Sequence, residues 1–183
     1  MKKRTLALLL ALVLVIGVAA GGTVAWLTAK SDTVVNTFTY GDINITLAET
    51  TGDTYKIIPG VDIAKDPKVT VKAGSEACWL FVKVAEENWP TFTEADGTTK
   101  KVNYAIADGW TKLEDGVYYR EVAAVTADTS FGVLNGDKVT VSENLTKTDI
   151  SGIATQPKLT FTAYAVQKDG ITNAADAWEK VTP

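Results

Sequence analysis

Residues 77–85 read ACWLFVKVA, with Leu80, Val82 and Val84 on one side of an extended chain and Trp79, Phe81 and Lys83 on the other. Successive side chains of a strand point to opposite faces, so a run that is apolar on both belongs in the middle of a sheet covered on both sides. Five further runs share the period of two. DINITL sets Ile43, Ile45 and Leu47 against Asn44 and Thr46, PKVTVK repeats the pattern with Val69 and Val71, and GVYYREV, DKVTVS and PKLTFTAYAVQ read the same way. Asn-Gly, Asp-Gly and Pro-Gly pairs separate them, at Pro59, Gly97, Gly116, Asn135 and Gly170 among others, which is the chemistry hairpins and tight loops need. The pattern predicts an all-β protein, an antiparallel β-sandwich of jelly-roll type. TNAADAWEKV, with Thr172 or Asn173 as N-cap, predicts a short C-terminal helix.

The first 25 residues stand apart from this pattern. Lys2, Lys3 and Arg4 precede 13 uncharged apolar or small residues from Leu6 to Val18, and small residues follow. That order predicts a cleaved secretory signal peptide. Cleavage is expected after Ala25, releasing Trp26 as the first residue, with Ala20 as the alternative site. Left uncleaved, the same segment is long enough to anchor the chain in a membrane, the one membrane association expected. The predicted organisation is a signal peptide over 1–25, a mature N-terminal segment over 26–33 and a single sandwich domain over 34–183.

Export alters the charge balance. The full chain carries a net charge of −4, and loss of the three leader cations leaves 15 basic against 22 acidic residues, about −7. Such a surface suits neither nucleic acid nor anionic lipid headgroups. Cys78 is the single cysteine, so no intramolecular disulfide forms, and its apolar run predicts a buried, inert thiol. With no histidine in the chain, a thiol nucleophile lacks its base and a catalytic zinc lacks its commonest ligand. The acidic loops holding Glu94 and Asp96, and Glu114 and Asp115, do not have the ligand spacing of a calcium loop. No catalytic residue, metal or cofactor is expected, and the Asn44 and Asn144 glycosylation triplets read as coincidence. The aromatic residues Trp89, Trp110, Tyr118, Tyr119 and Trp178 leave a carbohydrate-binding or adhesion module as an alternative, through whichever rings prove exposed.

Four stretches together resemble a known family. They are Gly22, Thr23, Ala25 and Trp26 at the end of the leader; NTFTYGDINITL; KIIPGVDIAKDPKVTVKAGSEACWLFVKV, with Pro59, Gly60, Lys65 and Pro67; and LTFTAYAVQKDGITNAADAWEKV. The chain resembles the TasA/camelysin group of exported proteins from Gram-positive bacteria. The resemblance implies a SipW-type signal peptidase as processing partner, a secreted jelly-roll sandwich, and, for the TasA branch, a subunit of extracellular matrix (biofilm) fibres. Subunits of that branch associate with themselves or related matrix subunits when a strand freed by cleavage completes the sheet of the next. On this chain the donor covers residues 26–35, with Trp26, Leu27, Val34 and Val35 as its apolar side chains. Its polar centre, with Lys30 and Asp32, fits a buried strand poorly and leaves a flexible tail as the alternative. Camelysin implies a metallo-endopeptidase instead, against which the missing histidines weigh.

Overall fold

The computed structural model describes residues 41–52, 54–153 and 155–181. Ten strands and two short helices form there. In chain order they are β1 (Ile45–Ala48), β2 (Ile63–Ala64), β3 (Lys68–Val71), β4 (Cys78–Glu87), β5 (Val102–Asn103), β6 (Thr111–Glu114), β7 (Val117–Val122), β8 (Thr129–Gly132), β9 (Lys138–Val141), α1 (Lys147–Ser151), β10 (Lys158–Gln167) and α2 (Ala174–Glu179). They make three antiparallel sheets, ordered β1-β3-β8, β10-β4-β7-β6 and β2-β9-β5. The pairs β2 with β9, β3 with β8 and β4 with β7 nest inside one another. The first half of the chain thus runs antiparallel to the second, which is the jelly-roll way of wrapping a sandwich.

β4 is central, with β10 on one side and β7 on the other, and both of its faces are covered. Cys78, Leu80, Val82 and Val84 join Val69, Val71, Val122 and Val133 between the three- and four-stranded sheets. Trp79 and Phe81 face the other way, against Ala174, Ala177 and Trp178 of α2. This outer layer exists because α2 is tied down at both ends. Asn173 caps it by accepting the Asp176 amide at 2.9 Å, the Trp178 indole donates to Glu114 at 2.8 Å, and the Trp79 indole donates to the Ile171 carbonyl. A helix of six residues does not persist without such packing. The hairpin from β6 to β7 turns at Gly116, where φ is +74° and a Cβ would stand 2.6 Å from the Val84 carbonyl oxygen; only glycine fits.

The small third sheet covers its own cluster of Val102, Leu134, Val139, Val141 and Leu145, with Trp89 and Phe92 packed against it. α1, which the alternation pattern does not predict, sits beside this cluster. Thr146 and Asp149 form a reciprocal capping box at its start, and Lys101 reaches Asp149 at 2.9 Å. β2, β5, β6 and β8 are likewise additions to the six predicted runs, each short and held by pairing more than by periodicity.

Candidate functional site

The predicted site residues Ala20, Ala25, Trp26, Leu27, Val34 and Val35 lie outside the described residues. What the described domain offers to such a segment is its sheet edges. β10 is the longest edge strand, ten residues with Lys158 its one charge, and among the described residues it pairs only with β4. Its inward residues Leu159, Phe161, Ala163 and Ala165 belong to the sandwich core yet are only half-buried. β1 lies alongside β10, and its inward Ile45 and Leu47, with Ile43 just before it, are half-buried as well. The two edges therefore frame a seam whose apolar lining is incompletely covered, whereas the same core is closed where β4 meets β3. A long, nearly uncharged edge above partly exposed apolar groups is the arrangement natural proteins usually blunt, because it invites another strand.

One end of the seam is held by a polar clasp. Lys65 and Asp66 are 8% and 7% exposed. Lys65 donates to both oxygens of Glu49, at 2.8 and 2.9 Å, and lies over the rings of Tyr55 and of Phe161 on β10. Glu49, the residue after β1, also accepts from the Tyr55 hydroxyl and from Thr51. Asp66 accepts from the Thr50 amide and hydroxyl at 2.8 and 2.6 Å and from the Thr51 amide at 3.1 Å. The clasp fastens the intervening loop back onto the end of β1. At that loop's tip, Pro59 and Gly60 turn the chain between Ile58 and Val61, exposed at 48% and 51%. Pro59 and Gly60 are thus the turn of this loop and Lys65 its anchor, while Pro67 leads into β3, buried, its carbonyl accepting the Val133 amide.

Hydrogen bonds from Thr50 and Thr51 hold the Asp66 carboxyl well below its ordinary range. The Thr146 amide, Lys101 and the Thr146 hydroxyl push Asp149 down to about 2, and Thr98 and Thr99 bring Asp96 to about 2. A carboxyl whose folded pKa lies below its unfolded value, roughly 3.9 for Asp, stabilises the fold above the unfolded value and loses that contribution as pH falls through the folded one. Stability is therefore expected to be level from pH 7 to about 4 and to fall between about 4 and 2. Urea midpoints measured across that range check it: Asp66→Asn should flatten the acid limb, and an unchanged limb would exclude Asp66 from it.

The remaining sequence candidates fall into structural positions. Cys78 is fully buried, and burial raises its thiol pKa. Glu94 bonds Ser142 and Asn144, Asp96 closes its own turn, Glu114 holds Trp178, and Asp115 pairs with Lys112. Asn44 bonds Asp42. Among the described residues no group of three His, Cys, Asp or Glu is placed to hold a metal ion. Trp178 is buried, and Trp89, Trp110, Tyr118 and Tyr119 are half-buried. A polar cleft of about 220 Å³, lined by Asn103, Tyr104, Asn135, Lys138 and Thr140, lies beside the third sheet. Compared with known proteins, the chain matches no family model, no curated protein and no solved structure.

Proposed function

We propose that this chain is a secreted, non-enzymatic subunit of an extracellular matrix or surface assembly, of the TasA kind, that associates through β-strand pairing. The observation that carries the reading is the seam between β1 and β10, with a ten-residue edge paired on one side among the described residues and an apolar lining left half-covered. The occupant is the N-terminal segment of a neighbouring copy. In WLTAKSDTVV, the positions Leu27, Ala29, Ser31, Thr33 and Val35 recur every second residue without a charge, while Lys30 and Asp32 alternate with them, sharing their face with Trp26 and Val34 at its two ends. A strand inserted with that uncharged face inward presents small and apolar groups to Ala163 and Ala165 and leaves its charges in water. Leader removal beside Trp26 by a SipW-type peptidase then frees the segment that assembles.

Deleting residues 26–33 from the mature protein is the direct test, read by electron microscopy and by sedimentation. The wild type is expected to form fibres and the deletion to remain a folded monomer with its thermal transition intact. Undiminished fibres from the deleted protein would remove the donor role.

A further inference from the structure

Lys65 and Lys101 keep only 10% and 14% of their side-chain surface exposed, and each holds a carboxylate within 2.9 Å. Arg120 is treated differently. It lies on the core-facing side of β7, opposite Leu80 of β4, and is partly buried. Its guanidinium stacks 3.9 Å from the ring centre of Phe131 on β8 and 5.4 Å from that of Trp110. Its Nε is shielded from solvent and has no hydrogen-bond acceptor, and no ion pair among the described residues includes it.

The aromatic rings stabilise the cation but offer no acceptor for its five N–H groups. Burial without a counter-charge works against the charged form and lowers the pKa of Arg120, yet an arginine remains protonated in proteins. The cost of withdrawing that charge is thus offset only in part within one copy. The rings of Phe131 and Trp110 pack against the guanidinium, and Nε is its one nitrogen both shielded from solvent and without a partner among the described residues. Gly109, an exposed residue, borders the group closely enough that a Cβ there would stand 3.2 Å from Nη2 and 3.5 Å from Cζ and Nη1. A planar guanidinium packed on aromatic rings beside an exposed glycine, with no carboxylate on it among the described residues, matches a carboxylate in shape and charge.

We propose that Arg120, with Trp110 and Phe131 as its walls, is the acceptor site for a carboxylate side chain of a second copy of this protein. This rests on the assembly reading above and adds the contact that fixes how copies meet. Each mature copy carries about −7, so approaching copies repel. A specific contact has to bring an acidic side chain to a cation not already neutralised. Lys56, Lys83, Lys147 and Lys180 are exposed and keep their water, whereas Arg120 is partly buried and held in place by the rings, so a carboxylate it receives completes its hydrogen bonds as the interface closes over them. The interface thereby gains a fixed, charge-selective contact in addition to strand pairing.

The chain has two arginines, and Arg4 leaves with the leader, so the mature protein gives a single arginine Nε–H signal in a 1H–15N spectrum. That signal is expected to move with protein concentration, in the direction it moves on adding acetate. By sedimentation, Arg120→Gln should weaken self-association about tenfold or more while leaving the melting temperature unchanged or higher. Arg120→Lys, which keeps charge but not the fork, should recover only part of the association. An Arg120→Gln protein that associates as tightly as wild type, or a signal indifferent to both protein concentration and acetate, overturns the site. A signal that answers glucuronate but not protein concentration assigns the site to a sugar acid and overturns a second copy as the source. A wild type that never associates while acetate still moves the signal defeats the assembly reading and the second-copy source, leaving a carboxylate site alone.

Discussion

Phe81→Ala is expected to lower the melting temperature by about 6–20 °C, corresponding to about 3–5 kcal/mol for emptying a fully buried aromatic position in a domain of this size. Phe81 has no exposed surface. Its ring lies 5.2 Å from that of Trp178 and 6.4 Å from that of Tyr119, and its neighbours across the sheet are Tyr119 and Tyr164. The loss is large because α2 cannot compensate. A six-residue helix anchored by Trp178 has nothing to move into the gap without abandoning the Trp178 bond to Glu114. The variant should therefore show weakened near-ultraviolet circular dichroism and earlier hydrogen exchange in α2 than in β4. Leu80→Ala, which empties the opposite face, should cost about 2–5 kcal/mol but leave the α2 signals intact. A Phe81→Ala protein within about 1 kcal/mol of wild type, small against the range for such truncations, would mean that the outer layer contributes little.

The two-sided burial behind that prediction is legible in ACWLFVKVA itself, because a period of two with apolar residues on both faces admits only a central, covered strand. Val69 and Val71 are fully buried, and Ile43, Ile45 and Leu47 share an inward face, as their alternation implies. The short elements are less legible. TSFG becomes β8 because β3 pairs with it and Thr70 bonds Ser130, neither of which four residues announce. The helix α1 carries a readable sign, Thr146 three residues before Asp149, but too little apolar periodicity follows for the sign to stand out. Arg120 is a different case. Alternation in VYYREV places it on the same face as Tyr118 and Val122, so the sequence holds the information that an arginine faces inward; that no carboxylate among the described residues meets it is decided by which loops fold over that end. The clasp is equally remote, since Glu49 and Thr50 reach Lys65 and Asp66 across sixteen residues. The seam depends on how two sheets close, a tertiary quantity that no local pattern encodes.

Lys65→Met tests whether the clasp holds that seam, and the single substitution is expected to cost about 2–4 kcal/mol, lowering the melting temperature by about 4–16 °C. The penalty comes less from the lost attraction than from Glu49, whose side chain is 23% exposed and would keep a charge with no cation beside it. Breaking a fully buried pair commonly costs about 3–5 kcal/mol, and this residual exposure reduces the figure. Glu49→Gln added to Lys65→Met removes the stranded charge while an amide oxygen still accepts from Tyr55 and Thr51. The double variant should therefore return to within about 1 kcal/mol of wild type, a coupling that only groups in direct contact produce. Equal losses in the single and double variants would show instead that the lysine stem, packed against Tyr55 and Phe161, matters more than its charge. The same pair of variants bears on assembly, since Phe161 lies on β10 and Glu49 follows β1, so that loosening the clasp frees both walls of the seam at one end. If a neighbour's strand enters there, Lys65→Met should change the rate of fibre growth by more than its loss of stability alone accounts for, and the double variant should restore that rate together with the melting temperature.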